Sequence, residues 1–238
     1  MTSTTAQARR IFYGRRHGRR LRPGRASLLE TGLAPLSIDV SKPPVDPIAL
    51  FAPPVTAAWL EIGFGGGEHL AAQAEARPDI GFIGCEPFIN GVARLLSDID
   101  GRGLDNIRLH ADDARDLLDV LPESSISRCF ILFPDPWPKL RHNNRRFVSP
   151  QNLDAVAHVL ADGAELRLAS DHMEYIRWML FHVLRHDAFE WRCEGPEDWR
   201  RPPADAKPTR YEQKALSRGD PCVYLRFRRK DRESACGT

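Results

Sequence analysis

The chain has 238 residues, 42% of them hydrophobic, which is enough for one substantial core and cramped for two. It holds no run of about 18 apolar residues and no apolar stretch near its start, so neither a membrane span nor an export signal is expected and a cytoplasmic protein is. Its five cysteines (Cys85, Cys129, Cys193, Cys222, Cys236) are scattered, odd in number and without C-x-x-C spacing, which argues against a disulfide framework or a structural metal site.

The net charge of +2 conceals a strong asymmetry. Eight arginines lie between Arg9 and Arg25, and no Asp or Glu precedes Glu30; without that segment 26 basic residues face 32 acidic ones. Such a basic end is either a solvated tail or an arm for a polyanion. Phe12, Tyr13 and His17 among the arginines favour RNA, because rings stack on bases while guanidinium groups hold phosphates. Arg15, Arg16, Arg19 and Arg20 are the candidate contacts.

Residues 34–54 contain six prolines and little that forms a regular element. Residues 1–54 are therefore read as a basic arm and an extended connector, and 55–238 as the catalytic domain. From Ala57 short apolar runs alternate with helical stretches, the pattern of β-α-β units around a parallel sheet. Strands are predicted near 57–62, 80–85, 106–110, 126–133 and 164–169. Helices fill the intervals near 67–76, 88–99, 112–120 and 150–161, with another near 172–186. Phe189–Cys193 and Cys222–Arg228 complete an α/β fold with a seven-stranded, mostly parallel sheet, closing in an antiparallel hairpin joined by a long polar loop.

The first strand runs into Gly63-Phe64-Gly65-Gly66-Gly67, where Gly63 and Gly65 allow a ligand to approach the backbone at the strand's carboxyl end. Dinucleotide sites share this feature, but Glu68 stands where a pyrophosphate would meet the helix, and Glu61 precedes the first glycine. Two carboxylates there suit a nucleoside bearing a sulfonium and an ammonium. Glu86 follows the second strand, placed to accept both hydroxyls of a ribose. Asp112 and Asp113 follow the third; one is read as the partner of an adenine amino group and the other as a helix cap, with Asp113 preferred as the ligand.

The fourth strand leads into Pro134-Asp135-Pro136-Trp137-Pro138-Lys139, a turn whose prolines fix a carboxylate, an indole and an ammonium beside the expected cofactor. Trp137 either stacks on a planar acceptor or packs under the turn. A second basic cluster follows at once, with Arg141, Arg145 and Arg146 as candidate nucleic-acid contacts.

These residues resemble the bacterial tRNA (guanine-N7)-methyltransferases. The resemblance rests on Glu61-Ile62-Gly63-Phe64-Gly65, Gly84-Cys85-Glu86, Phe133 to Lys139 with His142 to Arg146, and Pro208-Thr209-Arg210-Tyr211-Glu212, and it runs from about Arg10 to Arg228. It implies a Rossmann-like class I S-adenosylmethionine-dependent methyltransferase that acts on the guanine of the tRNA variable loop; no metal is expected from the cysteine spacing, and monomer and homodimer both stay open. It further implies that Glu61, Glu86 and Asp113 contact the cofactor and that Asp135 lies between cofactor and base as the catalytic residue. Lys139, Asp171 and the run Thr209, Arg210, Tyr211 and Glu212 match substrate-binding positions. Taken without the resemblance, Asp171 is equally a helix cap and Thr209 to Glu212 an ordinary exposed loop. Three rivals remain: a methyltransferase for a small acceptor, a non-catalytic RNA-binding protein on the same fold, and a dinucleotide oxidoreductase.

Overall fold

The computed structural model describes residues 11–232. Its first regular element is helix α1 (Pro23–Gly32), in the segment the sequence reads as an arm without periodic structure. No residue of α1 is fully buried, so it carries no apolar stripe; its signature is the proline near its start and the glycine at its end. Leu29 and, just beyond the helix, Leu33 and Leu36 pack on the core cluster that includes Phe82, Leu96 and Ile99. The proline-rich connector is also bound to the core. Ile38, Val45 and Phe51 are buried, Ile38 N–H donates to the Leu109 carbonyl at 2.9 Å and Val45 N–H to that of Val120 at 2.9 Å.

Seven strands follow: β1 (Ala57–Ile62), β2 (Ile80–Cys85), β3 (Ile107–His110), β4 (Ile126–Leu132), β5 (Leu160–Ser170), β6 (Phe189–Trp191) and β7 (Val223–Arg229). They lie in the order β3-β2-β1-β4-β5-β7-β6. The first five are parallel, and β7 runs antiparallel to both β5 and β6. The predicted closing hairpin is thus present, with its second strand inserted next to β5. The near-continuous apolar character of β1 and β2 fits strands covered on both faces.

Helices α2 (Glu68–Ala76) and α3 (Ile89–Arg102) cover one face and α4 (Ala114–Leu118), α5 (Pro150–Val159) and α6 (Met173–Val183) the other. Val92, Leu95, Leu96 and Ile99 form the buried stripe of α3 against Trp59, Phe82 and Phe130. On the opposite face Leu60, Ile62, Leu166 and Leu168 meet Leu117, Val156, Tyr175 and Met179.

The long polar loop before β7 is not a loop throughout. It contains α7 (Glu197–Arg200) and α8 (Arg210–Ser217). Only Glu212 and Ala215 of α8 are buried, so apolar periodicity could not reveal it; the Thr209-x-x-Glu212 capping box does.

Parallel packing brings the carboxyl ends of β1 to β4 to one edge, and α3 enters that edge closely. A Cβ on Gly91 would sit 1.9 Å from the Gly65 carbonyl oxygen, whereas one on Gly101 in the same helix would meet nothing within 4 Å. Opposite outcomes follow for one substitution type. Gly91→Ala is expected to destabilise by about 3 kcal/mol through overpacking, and Gly101→Ala to stabilise by about 0.5–1 kcal/mol through helix propensity. Urea unfolding of both variants checks the pair; equal effects would contradict the packing.

Candidate active site

Gly63 (φ +77°) and Gly65 (φ +58°) hold the left-handed backbone that turns β1 into α2. The space where a Gly63 side chain would project is open for 4 Å, a cradle suited to a ligand lying over the strand end. The Glu86 carboxylate pins the turn, its Oε2 accepting from Gly65 N–H at 2.7 Å and its Oε1 from Phe88 N–H at 2.9 Å. The helix that follows begins at Ile89. Burial raises the Glu86 pKa to about 7 against these two hydrogen bonds, with Asp135 adding to the rise and Arg210 opposing it.

Glu61 is buried and paired with His69 Nδ1 at 2.7 Å. The other ring nitrogen lies 3.2 Å from Gln73 Nε2, which also donates to the Asp205 carbonyl at 3.1 Å. An imidazole protonated on Nδ1 satisfies both contacts. Glu68 at the start of α2 is met by Arg94 at 2.9 Å.

Asp113 is the cap of α4, accepting from Arg115 N–H at 3.0 Å and from the Arg115 side chain. The capping role that the sequence leaves to Asp112 therefore belongs to Asp113, and any contact with a ligand uses the lone pairs these donors leave. Asp112 is half exposed and bound by Arg16 at 2.7 Å; burial opposes its charge, and Arg16 outweighs that to hold its pKa low.

Asp135 stands exposed at the mouth of the cleft. The walls around it strip enough water from the carboxylate to raise its pKa, while Arg15 pulls the other way. Its turn is bounded by two non-glycine residues in the left-handed region, Phe133 (φ 50°) and Trp137 (φ 43°). Each such residue costs roughly 1–3 kcal/mol unless the surroundings impose it.

Tyr211 and Arg210 come to the same cleft from the far end of the chain. A Cβ on Gly65 would lie 3.1 Å from the Tyr211 ring, and Arg210 donates to the Tyr211 hydroxyl at 3.0 Å while facing Glu68 and Glu86. Their neighbours have other tasks. Thr209 and Glu212 form the capping box, and Glu212 also bonds the Tyr224 hydroxyl, so both are buried supports of α8. The segment before them is anchored by Asp205, which pairs with Arg167 at 2.8 Å and Arg128 at 2.9 Å. Burial disfavours that carboxylate's charge, yet the two guanidinium groups hold its pKa at about 2.

Asp171 is not a helix cap: His172 caps α6, and Asp171 faces Arg218 at 3.4 Å. Lys139 is exposed. In the arm, docking is largely through backbone: Arg16 O accepts from Ile89 N–H, Gly18 N–H donates to Asn90 Oδ1, and Arg19 O accepts from Asn90 Nδ2. Arg15, Arg19 and Arg20 stay exposed, as does Arg141. Arg145 lies over the Tyr13 ring at 4.7 Å and the Trp137 ring at 5.0 Å. Trp137 thus stacks on a guanidinium and contacts His142 edge to face.

Arg146 does not fit its expected role. Its side chain is fully buried, bonded to the Pro136 and Trp137 carbonyls and to Glu174, out of reach of any phosphate. A cluster of arginines in sequence says nothing about which members point inward; Glu174, Tyr175 and Trp178, the residues that receive Arg146, lie nearly thirty positions away.

A family model described as "Putative methyltransferase" matches residues 56–225. Among solved structures, the 16S rRNA methyltransferase KamB aligns with 74% of this chain and 89% of its own at a TM-score of 0.53 and 16% identity. An rRNA methylase from Streptococcus thermophilus aligns at 0.50 and 13%, covering 74% and 87%. The fold is that of the class I S-adenosylmethionine-dependent methyltransferases. Closer in sequence are proteins named tRNA (guanine-N(7)-)-methyltransferase. That of Rhodospirillum rubrum is 53% identical over 95% of this chain and 91% of its own. Those of Ruegeria pomeroyi (51%; 96% and 99%) and Rhizobium meliloti (48%; 96% and 100%) are similarly near. The chain belongs to the tRNA (guanine-N7)-methyltransferase family. Among the described residues no helix is long and apolar enough to cross a membrane.

Glu86 also makes stability depend on pH. Its folded pKa of about 7 exceeds the 4.5 of a free glutamate, so between those values the folded protein keeps a proton that the unfolded chain has released. This contribution is fully present below pH 4.5 and disappears as pH rises through about 7. Relative to Glu86→Gln, which cannot ionise, the wild type is expected to lose on the order of 3 kcal/mol across that window. Urea unfolding at a series of pH values checks this; a difference that stays constant with pH would contradict it.

Proposed function

We propose that the protein transfers the methyl group of S-adenosylmethionine to N7 of a guanine in tRNA, the guanine of the variable loop, in the cytoplasm. The observation that carries this reading is the meeting of three distant segments in one cleft: the Gly65 turn gripped by Glu86, the Asp135 turn beside them, and Tyr211 laid against Gly65. A small acceptor would not call for the basic residues beside the Asp135 turn, Arg15 and Arg145 among them.

The residues present fit the cofactor. Open space over Gly63 receives it, Glu61 matches its ammonium end, Glu86 has lone pairs left for ribose hydroxyls, and Asp113 lies at the adenine end. Bound S-adenosylmethionine supplies an electrophilic methyl group. Guanine N7 has a lone pair and no proton, so the acceptor needs no general base. The protein's contribution is then positioning, which can lower a barrier by roughly 7–11 kcal/mol. Asp135 accepts hydrogen bonds from the N1 and exocyclic amino edge of the base, turning N7 towards the donor and favouring the positive charge the ring acquires. Arg15 opposes the rise that burial gives the Asp135 pKa. Tyr211, Arg210, Lys139 and Asp171 line the approach to the base, and the exposed arginines hold the phosphates. A base already splayed in a tRNA loop enters such a pocket at least cost.

The direct test is incubation with radiolabelled donor and unmodified tRNA, followed by nucleoside digestion; label is expected in 7-methylguanosine, and label in any other nucleoside would refute the assignment. In the same assay Asp135→Ala is expected to lower turnover at least about 100-fold with cofactor affinity within a few fold. Turnover near that of the wild type would remove Asp135 from the mechanism.

A further inference from the structure

Resting on this reading of the site, we infer that Arg146 is a positioning residue that locks the Asp135 turn in its reactive shape. The turn has a strained residue at each end, Phe133 and Trp137. The first is fixed by the sheet, since Phe133 N–H continues the β4 to β5 ladder with a hydrogen bond to the Ala169 carbonyl at 2.8 Å. The second lies beyond the sheet, and no strand reaches it. Arg146 takes over there: its Nε donates to the Pro136 carbonyl at 2.8 Å and its Nη2 to the Trp137 carbonyl at 3.4 Å. These two carbonyls flank the Trp137 backbone torsions, so the planar guanidinium sets the one conformation that the turn could otherwise relax.

The guanidinium is held through Nε and Nη2, while its Nη1 is buried without a hydrogen-bond partner. Glu174 at the start of α6 accepts from Nη2 at 2.9 Å, and the rings of Tyr175 and Trp178 lie 5.1 and 5.0 Å from its centre. Trp178 in turn donates to the Val148 carbonyl at 2.6 Å, and Val148 N–H donates to the Tyr175 hydroxyl at 3.4 Å, which fixes both rings. Lysine has the charge but neither the fork nor the plane, so its single nitrogen cannot stand at both the Nε and the Nη2 positions.

The test compares the wild type with Arg146→Lys, Arg146→Ala and Glu174→Gln in the tRNA methylation assay. Arg146→Lys is expected to lower kcat about 10- to 100-fold with KM for tRNA and cofactor affinity within about threefold, and Glu174→Gln to give a smaller loss of the same kind. Millimolar guanidinium chloride is expected to restore part of kcat to Arg146→Ala and none to the wild type. The salt dependence of tRNA affinity is expected to be unchanged in Arg146→Lys and Arg146→Ala alike. Wild-type kcat in Arg146→Lys, or a salt slope reduced by about one in Arg146→Ala, which would mark a phosphate contact, overturns the inference. If Arg146→Ala does not fold, Arg146→Lys and Glu174→Gln decide alone. Absence of 7-methylguanosine with the wild type is a different result and refutes the proposed function instead.

Discussion

Gly65 is held from three directions. Its N–H is bound by the buried Glu86 carboxylate, its carbonyl is approached by α3 so closely that only glycine fits at position 91, and its Cα supports the Tyr211 ring. The first contact joins β1 to β2, the second adds the helix after β2, and the third brings in a segment almost 150 residues later. A cofactor cleft formed this way takes its shape from the sheet, because each partner of Gly65 is fixed by the strand or helix that carries it. This explains why a carboxylate with a pKa of about 7 is retained there: burial weakens its charge, yet its two backbone hydrogen bonds define the turn.

The acceptor side follows another logic. Beyond Phe133 the strand ladder ends, and the three prolines restrict the turn without saying where it points. Direction comes from side chains, with Arg146 holding it from beneath and Arg145, stacked between Tyr13 and Trp137, bracing it from the arm. Neighbouring arginines in sequence thus differ completely in role because one faces the core and the other the cleft.

Most of the sheet and the placing of carboxylates at its strand ends were legible in the sequence, and the reason is local. Strand runs such as Ile80–Cys85 carry their burial in composition, and Glu61, Glu86 and Asp113 sit at strand ends that those runs define. What stayed hidden depends on long-range partners. Helix α8 has too few buried residues for periodicity, and α1 has none. Glu212, a substrate-binding position by resemblance and a loop residue without it, has its oxygens engaged by Tyr224 and Thr209, and Arg115 folds back on Asp113. His69 had no motif to mark it, and Asp205 and Glu174 act through residues distant in the chain.

The charge asymmetry also acquires a structural meaning. An arm of arginines on an acidic body could simply collapse onto it through ion pairs, leaving little charge for a polyanion. Here Arg16 does pair with Asp112 and the Tyr13 ring lies under Arg145, but most of the attachment uses main-chain groups of residues 11, 16, 18 and 19 on Arg115, Ile89 and Asn90. Backbone hydrogen bonds hold the arm without consuming its guanidinium groups, so Arg15, Arg19 and Arg20 stay exposed while the chain beneath them is placed. Because Ile89 and Asn90 begin the same helix whose Gly91 touches Gly65, the arm is registered against the cofactor turn itself. Under the proposed function, phosphates held by those arginines would lie at a set distance from the methyl donor, which is the condition a positioning enzyme needs for a macromolecular substrate.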